Sequence, residues 1–185
     1  MACAIPQSPG ASATGDRLSI DGIRRRLASG RLGGHIYLFG HVASTTEVLA
    51  RLAEAGAREG TVVVADEGRD LRLSVLVRLG EALRSVPVLS FLAGRALAEA
   101  FRTERVPTAV RIECATVAHR AAWAILGIGV NFAALSGDAV QWIDRNAFTA
   151  SFLNALDHLF VTYAAGGAPA VLAGWRENGG IDARE

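Results

Sequence analysis

The chain has 185 residues, 51% of them hydrophobic, and a net charge of +1, a size and balance suited to one domain with one core. Nineteen basic residues against eighteen acids, with no long block of either sign, give no basic field, so nucleic acid is not an expected partner. Every one of the basic residues is arginine; the absence of lysine limits the chemistry available.

Met1 to Asp16 is rich in Ala, Ser, Gly and Pro and lacks the basic start and apolar core of a signal peptide. It reads as a flexible tail before a single domain over residues 17–185 of a cytoplasmic protein with no membrane association. From Ser19, the positions Ile20, Ile23 and Leu27, closed by Gly30, predict a short amphipathic helix with Arg24, Arg25 and Arg26 turned largely to water. His35 to Phe39 has strand composition. Ser44-Thr45-Thr46-Glu47 then forms a capping box, in which the serine accepts from the Glu47 amide, opening a helix that ends near Gly56 to Gly60. The capping role accounts for Ser44 and Glu47; a functional reading adds that such a helix start presents amides and hydroxyls to an anionic or carbonyl ligand.

Thr61 to Asp66 is a strand and Leu71 to Arg78 alternates as a half-buried one. The four residues between them, with one glycine, predict a tight antiparallel hairpin. After Pro87, the apolar spacing of Val88 to Arg102 predicts a helix on the sheet, and Thr108 to Cys114 another strand, followed by a bend over Ala115 to Arg120. The uncharged run Ala121 to Val130 is too short to span a bilayer and suits a strand covered on both faces. Gly127 and Gly129 alternate within it, leaving a strip of bare backbone on one side, with Asn131 offering a donor and an acceptor at the strand end. The glycines fit relief of crowding as well as they fit a ligand floor. A dinucleotide fingerprint fails, because Phe132 stands where its third glycine belongs.

A long helix from about Asn146 to Ala164 places Phe148, Phe152, Leu156, Leu159, Phe160 and Tyr163 near one stripe. Gly166-Gly167 breaks it and Pro169 opens a last helix, ended by Gly179-Gly180. Cys3, Cys114 and the four single histidines make neither a disulfide framework nor a metal spacing, so reduced thiols and no structural zinc are expected. The order of elements predicts an α+β domain: a mixed, largely antiparallel sheet with helices packed on one face.

These residues together resemble the catalytic domain of the biotin–protein ligases (biotin–[acetyl-CoA-carboxylase] ligases). The family's Ser-Thr-Asn helix start is similar to Ser44-Thr45-Thr46. Its Gly-x-x-x-Gly-Thr-x-Val-x-Ala-Asp/Glu-Glu strand is similar to Gly56 to Glu67, its Leu-x-x-Ser strand to Leu71 to Ser74, and its Gly-Ile-Gly-x-Asn strand to Gly127 to Asn131. The C-terminal helices ending in Trp-Arg match Phe148 to Arg176. The resemblance covers most of Asp16 to Gly180 and implies a shortened catalytic domain, without a DNA-binding domain or the small β-barrel that often follows.

By the same resemblance, biotin and Mg-ATP are substrates, biotinyl-adenylate is the intermediate, and the acceptor is a lysine of a biotin carboxyl carrier domain. Ser44, Thr45, Thr46, Gly127 and Gly129 would surround biotin; Gly68, Arg69, Arg111 and Asn131 would meet the adenylate or phosphate. No catalytic residue and no metal ligand is assigned, and a homodimer stays open. Two family segments are missing. Of the Gly-Arg-Gly-Arg-x-Gly-Arg loop only Gly68-Arg69 could be a remnant, and Arg111-Ile112 passes to Glu113-Cys114 where Lys-Trp-Pro-Asn-Asp would stand. A non-catalytic scaffold binding biotin or a carrier protein is therefore the alternative. A third reading, from the related lipoyl and octanoyl transferases, uses Cys114 as nucleophile, with His119 the nearest histidine.

Overall fold

A computed structural model describes residues 17–67, 70–78, 86–106, 111–119, 123–132 and 143–177. Nine elements follow in chain order: α1 (Ile20–Arg24), β1 (Ile36–Phe39), α2 (Thr45–Glu54), β2 (Val62–Glu67), β3 (Asp70–Arg78), α3 (Val86–Thr103), β4 (Arg111–His119), β5 (Trp123–Asn131) and α4 (Arg145–Glu177). The strands form one sheet in the order β1-β2-β3-β5-β4, parallel only between β1 and β2. The fold is thus the expected α+β one with a mixed, largely antiparallel sheet.

Side-chain alternation sorts the strands into two faces. Val62, Val64, Leu73, Val75, Ala124, Leu126, Ile128 and Val130 belong to the main core, together with α1, α3 and α4. Phe148 of α4 meets Phe101 of α3 and Phe132 after β5 edge-on, with centroids 5.1 and 5.3 Å apart, joining three elements through their rings. The phenylalanine that spoils a dinucleotide fingerprint is therefore a core residue. The opposite residues, Val63, Leu76, Trp123 and Ile125, pack under Leu49 and Ala53 of α2 in a smaller cluster. The main helix layer lies on one face as expected, and α2, which carries the chain from β1 to the parallel β2, adds partial cover to the other.

Local chemistry explains most element ends. Gly56 follows α2 with φ 91°, and Gly60 has φ 76° as its amide donates to Leu76 O at 2.9 Å. A Cβ on Gly60 would overlap the Arg31 carbonyl. Pro87 sits in the first turn of α3, so that helix starts two residues before the predicted Val88. The predicted bend over Ala115 to Arg120 is corrected. β4 runs on to His119 because all nine of its residues pair with β5, and Thr116 and Val117 suit a pleated ladder. In α4, Gly167 (φ 64°, ψ −161°) breaks the helical path just before Pro169, where the sequence places the break.

The segment before β1 is fastened to α4. Asn146 Oδ1 accepts from Ser19 N at 2.9 Å while its Nδ2 donates to Arg17 O at 3.2 Å. Asn154 Oδ1 accepts from Ala28 N and Ser29 N at 2.8 and 2.9 Å, and its Nδ2 donates to Arg26 O at 3.0 Å. Arg24, Arg25 and Arg26 are exposed as predicted, with Arg26 also 2.7 Å from Asp144.

Candidate functional site: the first turn of α2 over β3 and β5

Ser74 occupies a fully buried position in β3, on the face that α2 covers. A lone hydroxyl there would be costly, and the first turn of α2 satisfies it. Thr45 Oγ1 lies 2.8 Å and Thr46 Oγ1 3.1 Å from Ser74 Oγ. The turn is placed by its cap, with Ser44 Oγ accepting from Glu47 N at 3.2 Å. That bond is the forward half of the predicted capping box, and it leaves the Ser44 O–H donor available.

The register extends the cluster along the sheet in rows. Ser74 pairs with Gly127 of β5, Arg72 with Gly129, and Asp70 with Asn131; across β5 the same three residues pair with Ala115, Glu113 and Arg111. Thr45, Thr46 and Gly127 thus meet around Ser74, while Gly129, Asn131 and Arg111 follow in the next two rows. Gly127 is buried, as close packing beneath a helix start requires, whereas Gly129 and Asn131 are half-buried and form the accessible part of the strip. Gly68 and Arg69 lie outside the described residues. Arg111 is placed by its backbone at the first position of β4.

Three residues here escaped the list of candidates. Asp70, Arg72 and Ser74 are the polar members of D-L-R-L-S, and strict alternation in β3 was the available signal that they share a face. Arg72 is exposed between fully buried Leu71 and Leu73. The fourth escape is an ion pair on the core side of the sheet, Arg145 Nη1 to Asp66 Oδ1 at 2.8 Å, with side chains 7% and 21% exposed. It joins the start of α4 to the end of β2, 79 residues apart, and no local pattern announces it.

Cys114 pairs in register with Ile128, a residue of the helix-side core, whereas Gly127 and Gly129 belong to the other face. Positions 114 and 119 lie five apart in one continuous strand, so they occupy alternate faces of the ladder. Among the described residues, no three His, Cys, Asp or Glu side chains gather to hold a metal ion, and no helix is long and apolar enough to cross a membrane. A separate cavity of about 370 Å³ lies on the far side of the sheet, between α3 and the two halves of α4.

No protein-family model and no curated protein matches the sequence. Solved structures do match. A biotin protein ligase-like protein of unknown function from a Silicibacter species aligns over 77% of this chain and 76% of its own, with a TM-score of 0.60 at 14% identity. The biotin protein ligase of Aquifex aeolicus aligns over 78% and 74%, with a TM-score of 0.59 at 16% identity. The same Aquifex enzyme in complex with biotin and ATP aligns over 72% and 73%, with a TM-score of 0.56 at 15% identity. At these identities the likeness defines the fold. The chain has the fold of the biotin protein ligases.

Proposed function

We propose that this protein binds biotin on the face of the sheet beneath the first turn of α2, as a relative of the biotin–protein ligases. The observation that carries the reading is the hydroxyl trio of buried Thr45 and Ser74 and half-buried Thr46, set beside Gly127 within that fold. Three hydroxyls offer donors and acceptors to a polar ring such as a ureido group, while the glycine at the next row leaves space for an aliphatic chain. By resemblance, the reaction is ATP-dependent biotinylation of a carrier-domain lysine through biotinyl-adenylate. Gly68, Arg69, Arg111 and Asn131 are the candidates for contact with the adenylate.

A second reading, a scaffold that binds biotin or a carrier protein without turnover, is favoured by two observations. The β2–β3 ladder closes at Glu67 and Asp70, leaving two residues where the family's arginine loop would stand. β4 runs unbroken from Arg111 through Cys114, paired throughout with β5, with no place for Lys-Trp-Pro-Asn-Asp. Joining one anion to another needs fixed positive charge around the phosphate, and those segments supply it in the family. Both readings share the fold, so chemistry has to separate them.

The test is calorimetric titration with biotin, alone and with Mg-ATP, and an assay of pyrophosphate in the same samples. Heat with pyrophosphate release supports the ligase; heat without it supports the scaffold. Neither signal from a folded sample sinks the biotin reading. The chain's lack of lysine removes side-chain self-labelling as a background.

A further inference from the structure

We infer that Arg72 sets the specificity of this site for an acid, by taking the carboxylate of the bound ligand; the inference rests on the biotin-binding reading above. β3 is an interior strand, flanked by β2 and β5, yet Arg72 in its middle is exposed. Its row explains the access: the partner in β2 is Ala65 and the partner in β5 is Gly129. A long charged side chain between two of the smallest residues stands on a floor of backbone rather than in a packed layer.

An arginine on a solvated sheet face is ordinarily a surface residue, but the position of this one is particular. Arg72 lies two residues from Ser74 on the same face, about 7 Å along the strand, and Ser74 carries the hydroxyl trio. A small molecule with its hydrogen-bonding head on Thr45, Thr46 and Ser74 and its aliphatic part over Gly129 brings its far end to the guanidinium. The charged residues at register positions on this end of the face are Asp70 on β3, Glu67 opposite it on β2, and Arg111 and Glu113 on β4. Arg72 is already engaged by a neighbour, so an incoming carboxylate shares or replaces that contact. A guanidinium presents a planar fork matched to a carboxylate, and such charge-assisted pairs exceed neutral hydrogen bonds. Because the contact is made in the ground state, it favours binding of the acid without itself advancing acyl transfer.

The experiment measures affinities of the wild type, Arg72→Gln and Arg72→Lys for biotin and for neutral biotinamide. Arg102→Gln, on α3 across the sheet, is the control, and urea midpoints verify folding. The wild type is expected to prefer biotin over biotinamide by about tenfold or more. Arg72→Gln should bind both at the amide's affinity, Arg72→Lys should keep part of the preference, and Arg102→Gln should keep all of it. A preference for the acid that survives in Arg72→Gln, or a wild type that binds both ligands alike, overturns the inference and leaves the binding site intact. A wild type that binds neither ligand overturns both.

Discussion

Ser74 is small, uncharged and fully buried, and two threonines depend on it. Ser74→Ala would leave both threonine hydroxyls without this partner under the helix, at a cost of about 1–2 kcal/mol. The expected result is a lower urea midpoint with an unchanged slope, and weaker binding of any ligand held by the trio. Gly60 acts through the backbone instead. Gly60→Ala would need a left-handed residue and would collide with the Arg31 carbonyl, so a loss on the order of 3 kcal/mol is expected in the same unfolding measurement. That outcome would make Gly56-x-x-x-Gly60 a structural signature, two left-handed corners between α2 and β2, with no ligand required to explain it. At this scale the sequence was informative wherever the signal is local. The Ser44 cap, the Gly56 and Gly167 breaks and the Phe148 stripe all rest on neighbours within one or two turns. Alternation could say that Asp70, Arg72 and Ser74 share a face; it could not say which face α2 covers.

Elements are joined by contacts that no local pattern encodes. The Arg145–Asp66 pair ties α4 to β2 at the edge of the main core, and its two halves differ in exposure. Asp66→Ala leaves a guanidinium in a site only 7% exposed, whereas Arg145→Met removes the buried charge and leaves a carboxylate that water can reach. Both single variants should be less stable in urea unfolding, by about 1–2 kcal/mol for Asp66→Ala, and the double variant should lose less than the sum of the two. The same limit explains the misjudged end of β4. A-T-V-A-H has no strong period of its own, and residue-by-residue pairing with β5 extends it as strand to His119. Strand propensity is settled by partners, and those partners come from the following segment. The β2–β3 hairpin was legible because partner and turn lie side by side in the chain.

For the molecule as a whole, two asparagines hold the backbone of a distant segment, beside the Ser29–Asp157 and Arg26–Asp144 contacts. Asn146 and Asn154 reach back 125 to 129 residues to hold the backbone around α1. Asn154→Ala should loosen that segment with little effect on the sheet. Trypsin should cut faster at Arg24, Arg25 and Arg26, while amide protection in β5 stays unchanged. Of the strand neighbours only the β2–β3 hairpin was read from the sequence, since composition and periodicity give strands without their neighbours. What remained hidden was the union of the first and last described segments, which share no motif and meet only after the sheet between them exists.

That union also orders events during synthesis. A ribosome releases the residues around α1 well before α4, so the asparagine side chains that anchor that segment arrive only after the strands of the sheet have emerged. Until then, Leu18, Ile23 and Leu32, all buried in the finished protein, have no helix α4 to cover them. That segment is completed only once α4 is out, and a chain stalled before α4 would present these apolar side chains to whatever chaperone stands at the exit.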